Sequence, residues 1–93
     1  MVDFETRIKM SDKLVSAYIE YTETLDESVI EDTLNEMYNV YRERLKEDET
    51  QRKNASRLAR KLVKEDQKTV AERSEKLEDE IRQLSIKHLG KNY

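Results

Sequence analysis

Apolar residues return along this chain at the spacing of a helix rather than that of a strand. Phe4, Ile8, Leu14, Val15, Tyr18, Ile19 and Tyr21 fall in one broad stripe, with Asp3, Glu5, Lys9, Lys13 and Glu20 around the remainder. This predicts a first helix over about 3–22. The stretch from Thr22 to Ser28 breaks the pattern and holds two overlapping capping boxes, Thr24 with Glu27 and Ser28 with Glu31. A second helix is predicted over about 27–47, where Ile30, Leu34, Met37, Tyr38, Tyr41 and Leu45 keep the three-and-four spacing that buries one face.

No apolar residue occurs between Leu45 and Ala55. Beyond this polar waist Ala55, Leu58, Ala59, Leu62, Val63, Val70, Leu77, Ile81 and Leu84 again share one side, predicting a third helix over about 51–88. It ends near His88 with Gly90 as C-cap, leaving residues 89–93 as a tail. The stripe after the waist continues in phase with the stripe before it. That favours an unbroken helix over about 27–88, about 90 Å long at 1.5 Å per residue. The alternative is a three-helix unit with a hairpin near residues 47–53, since short helix connections can be built from ordinary polar residues.

Composition supports the helical reading. The chain of 93 residues has no proline and one glycine, so the usual breakers of helices are missing before Gly90. This length suits a single helical domain, residues 1–93. Only 35% of residues are apolar against 42% charged, which fits narrow stripes on long helices. A 90 Å helix cannot cover its own stripe, and a first helix of about twenty residues reaches at most about a third of it. The expected fold is therefore all-α: an elongated helical bundle or coiled-coil-like homodimer. Its core is read as Leu34, Met37, Tyr41, Leu45, Leu58, Leu62, Val70, Leu77, Ile81 and Leu84. No strict heptad persists, which disfavours a long parallel zipper.

Charge is split along the chain. Residues 1–50 carry 14 acidic and 6 basic side chains, residues 51–93 carry 7 acidic and 12 basic ones. Antiparallel contact would set each acidic half against a basic one, whether between two chains or within one hairpin. Asp66 and Arg73 lie on the apolar stripe and are candidates for fixing register across such an interface. Tyr18, Tyr21, Tyr38 and Tyr41 are expected to form the contact between the first two helices.

The sharpest chemical feature is a run of cations. Lys53, Arg57, Arg60, Lys61, Lys64 and Lys68 form a stripe about 100° wide, opposite the apolar face. Such a stripe can meet an acidic protein surface, or bind phosphates with strong salt dependence. The run from Asn54 to Lys61 resembles the basic region of bZIP proteins, but no regular leucine heptad follows it, and the resemblance ends there. Acids such as Glu20 with Glu23, or Glu72 with Glu75, resemble the carboxylate ladders of helical magnesium-dependent nucleotide pyrophosphohydrolases. The match fails because the one E-x-x-D, Glu23 to Asp26, overlaps the first motif instead of following it. His88 is the single histidine, and there is no cysteine.

These residues offer no nucleophile, metal set or phosphate loop. The expectation is a non-enzymatic, cytoplasmic interaction module without cofactor or membrane span: a small regulator, adaptor or assembly factor. It is expected to act as a homodimer with another protein as partner. Nucleic-acid binding through the stripe at residues 52–68 is the alternative, and a structural spacer is a third.

Overall fold

A computed structural model describes residues 2–73 and 79–89, without the side chains of Glu80 and Ile81. Among them the structure is entirely helical: α1 Phe4–Thr24, α2 Glu27–Lys46, a short 3-10 turn Arg52–Asn54, α3 Ala55–Arg73 and α4 Asp79–His88.

Each boundary has a local cause. Asp3 caps α1 by accepting the Thr6 amide at 2.9 Å. The helix closes at Leu25, which adopts a left-handed φ of 59° while its N–H reaches the Tyr21 carbonyl at 2.7 Å. Asp26 then caps α2, accepting from the Ser28 amide at 3.0 Å and the Ser28 hydroxyl at 2.7 Å. The cap is thus Asp26 rather than the Thr24 or Ser28 of the two capping boxes. Thr24 belongs to the last turn of α1 and donates its hydroxyl back to the Glu20 carbonyl at 3.1 Å.

The unbroken helix over 27–88 is not formed. α2 stops at Lys46, and the chain turns through residues 47–54 without glycine or proline. Asp48 holds the turn: its carboxylate accepts from the Thr50 amide at 3.0 Å and the Thr50 hydroxyl at 2.8 Å, and its carbonyl accepts from Gln51 at 3.0 Å. Arg52 reaches back to cap the Lys46 carbonyl at 3.1 Å. Stripe phase does not separate the two alternatives. Each arm of a hairpin needs its apolar face turned to the other arm, and the turn sets the rotation between them independently of any helical count.

α4 folds back along α3, bringing the His88 carbonyl to the Gln67 amide at 2.9 Å and Lys87 to Glu27 of α2 at 2.9 Å. The body measures 41 × 23 × 19 Å, against the 90 Å expected for the elongated form. Leu34, Met37, Tyr41, Leu45 and Val70 are buried in one core with Leu14, Tyr18, Ile30, Ala59 and Val63, while Leu58, Leu62 and Leu84 are half-buried against it. Leu77, the Ile81 side chain and Gly90 lie outside the described residues. Among the described residues, most of the stripe that called for a second chain is covered within one, with Leu58, Leu62 and Leu84 left half-buried.

The buried face of α1 also differs from the stripe read from its apolar residues. Phe4, Ile8 and Ile19 are exposed at 79%, 44% and 42%, whereas Met10, Ser11, Leu14, Ala17 and Tyr18 point inward. The apolar set of α1 is wider than the face that its three neighbouring helices cover, so the inward side follows the contacts with α2, α3 and α4. The tyrosines likewise extend past the α1–α2 contact. Tyr41 reaches α3 and Tyr18 lies 6.2 Å from the His88 ring on α4. Among the described residues no helix is long and apolar enough to cross a membrane.

Candidate functional site

α3 carries two polar faces of opposite character. On its outer side Arg57, Arg60, Lys61, Lys64 and Lys68 recur every three or four residues and are all exposed, with Lys53 just ahead of them in the 3-10 turn. The five cations of α3 line an open groove of about 490 Å3 together with Glu65 and with Leu89, which follows the end of α4. One of them is anchored. The Arg60 guanidinium lies 5.5 Å from the centre of the Tyr38 ring, which also takes Arg42 at 5.3 Å. The Tyr38 phenol is held below its usual range, first by hydrogen bonding with Ser56 and then by these two guanidinium groups.

The α2 acids seen in ion pairs find their partners outside α3. Glu36 pairs with Lys13 at 2.6 Å and Glu27 with Lys87 at 2.9 Å, so these α2 acids meet α1 and α4. Glu43 lies 3.7 Å from both Arg42 and Lys46 of its own helix. Among the described residues no ion pair engages Lys53, Arg57, Lys61, Lys64 or Lys68. The antiparallel contact that fits the charge split forms within one chain, but its arms join through apolar packing and the Tyr41–Asp66 hydrogen bond.

The inner polar face is the reverse. Asp66 is 3% exposed and lies between three helices. Its carboxylate meets Arg7 of α1 at 2.8 Å and accepts a short hydrogen bond from the Tyr41 hydroxyl of α2. Arg7 is also 3.4 Å from Glu65. Burial raises the Asp66 carboxyl above the usual carboxylate range despite these two donors. Burial, followed by the neighbouring Asp66, drives the Tyr41 phenol well above its usual value. Arg73, the other candidate for fixing register, is exposed on a groove that it lines together with Phe4, Ile8, Arg7 and Asp66 itself.

Arg7 was invisible to a search for apolar stripes. It sits three residues before Met10 and seven before Leu14, both buried, so helical spacing places it inward once that face is known. His88, the single histidine, is fully buried beside Tyr18. Among the described residues no cluster of three or more histidines and acids is placed to hold a metal ion. The means of the outer face are positive charge and the apolar surface beside it. No family model, curated protein or solved structure matches the chain.

Proposed function

We propose that the chain is a non-enzymatic helical interaction module that receives an acidic segment of a partner protein on the outer face of α3. The observation that carries this reading is that Lys53, Arg57, Lys61, Lys64 and Lys68 are exposed and make no ion pair among the described residues, on the outer side of a helix whose opposite side is fixed in the core. Like charges at this spacing repel one another mildly, so the fold gains nothing from their crowding. An external anion relieves it.

The row from Lys53 to Lys68 spans roughly 20 Å at the helical rise, the length of a few turns of a partner helix. A protein is favoured over nucleic acid because residues 1–50 hold 14 acids against 6 bases. A long polyanion would be attracted by one face and repelled by others. The spacer reading has little support in a body 41 Å long.

The test is fluorescence anisotropy with a labelled glutamate-rich peptide, a DNA duplex and a single-stranded RNA, each at low and moderate salt. The peptide is expected to bind, and the combined Arg57→Glu, Arg60→Glu, Lys64→Glu variant to lose it while keeping its helical circular dichroism. Tighter binding of either nucleic acid, falling steeply with salt, would transfer the face to the alternative reading.

A further inference from the structure

We infer that the acidic segment received by α3 is an amphipathic helix with adjacent apolar anchors, because the basic face runs into an apolar cleft that charge alone cannot fill. This rests on the reading of α3 as a docking face and adds the shape and pattern of what docks.

The cleft holds about 260 Å3 at the N-terminal end of α3. Val2 and Leu45 form its back, and Leu58 and Leu62, one turn apart on α3 and half-buried, form its wall. Lys61 and Glu65 line both this cleft and the basic groove, so the two are parts of one surface. Glu65 is the one acid on the shared rim, and it lies 3.4 Å from Arg7, which also borders the cleft. The rim therefore stays positive.

The order of residues around α3 sets the pattern of the partner. At 100° per residue, the face passes from Leu58 and Leu62 through Lys61 to Arg57, Lys64 and Lys68. A helix lying along it must present apolar side chains at i and i+4 to the cleft and carboxylates on the adjoining side to the cations. This is the helix-in-groove mode, in which buried anchors supply affinity and rim charges supply orientation. A second folded copy of this chain is a poor occupant. Its acidic helix α2 already buries Ile30, Leu34, Met37 and Tyr41, leaving charge without anchors.

The test uses two synthetic peptides of identical composition, one with leucines at i and i+4 beside a glutamate face, the other with the leucines dispersed. Wild-type protein should bind the first about tenfold more tightly, the factor expected from burying part of two leucines. Gln51, half-buried on the cleft rim, can be changed to block it: Gln51→Trp should erase the preference and leave weak binding of both peptides. Lys64→Glu with Lys68→Glu should abolish both. Changing the two anchor leucines of the peptide to serine repeats the test without altering the protein, should Gln51→Trp disturb the turn. Equal affinity for both peptides, still lost on charge reversal, would overturn the cleft and leave the docking face intact. No binding of either peptide would overturn both.

Discussion

Lys64 and Asp66 stand two residues apart on α3 and show what burial does to a charge. Asp66 is 3% exposed and takes Arg7 from α1 and the Tyr41 hydroxyl from α2, so one carboxylate links three helices. Lys64 is exposed and pairs with nothing among the described residues. Removing a carboxylate from water costs several kcal/mol unless donors replace the water, so the inner face is sustained only by its internal partners. On the outer face water does this work, and no requirement of the fold accounts for a row of cations there. The inner polar group belongs to the architecture, and the outer row is open to a partner.

That contrast fails first at Asp66 if it fails at all. Asp66→Ala leaves the buried Tyr41 hydroxyl without an acceptor and Arg7 with the exposed Glu65 alone, and is expected to lower stability by about 3 kcal/mol in urea unfolding. A loss under about 1 kcal/mol would mean that the inner cluster does not hold the helices together. Tyr41→Phe removes one donor and keeps the ring in the core, so a loss of about 2 kcal/mol is expected from the charge-assisted hydrogen bond.

The pH dependence carries the same distinction with a definite sign. The folded-state pKa of Asp66 is raised, so its contribution is fully present below the ordinary carboxylate range and is lost as pH rises through the raised value. Asp3, Asp26 and Asp48 are shifted the other way, each chiefly by the side-chain hydrogen bond it accepts, from Thr6, Ser28 and Thr50 respectively. Their contribution is present above the ordinary range and is lost as pH falls through their lowered values. The urea midpoint should therefore rise on mild acidification and fall on stronger acidification, and Asp66→Asn should remove the rise alone. The smallest effect on stability belongs to the outer face: Arg57→Glu and Lys64→Glu should each change it by no more than about 0.5 kcal/mol, and Arg60→Glu by about 1 kcal/mol through the lost Tyr38 contact, while together they eliminate peptide binding.

The sequence made some of these elements readable and hid others for physical reasons. Helical periodicity located Leu34, Met37, Tyr41 and Leu45 on the inner side of α2, because their spacing and their burial have the same cause. The cations of α3 were readable in the same way, since lysine and arginine at helical spacing opposite an apolar face have no route inward. The turn after Lys46 was not. It depends on Asp48 with Thr50 and on the reach of Arg52, polar residues that serve equally well on an exposed helix. Leu25 likewise takes a left-handed conformation usually given to glycine, so the end of α1 carried no glycine signal. Arg7 and Asp66 are 59 residues apart in sequence, and only the hairpin brings them together. Without the hairpin, a carboxylate on the apolar stripe points only to a register role, whereas the donors of Asp66 lie on α1 and α2 of the same chain.

The division of α3 into an inner and an outer face can be tested in one titration. Backbone and side-chain chemical shifts of isotope-labelled protein would be followed as the amphipathic acidic peptide is added. The account predicts shifts at Arg57, Lys61, Lys64 and Lys68 and along Leu58 and Leu62, with Asp66, Val63 and Val70 unmoved. Shifts spread inward to Asp66 and Tyr41, or confined to α1 and α2, would contradict it.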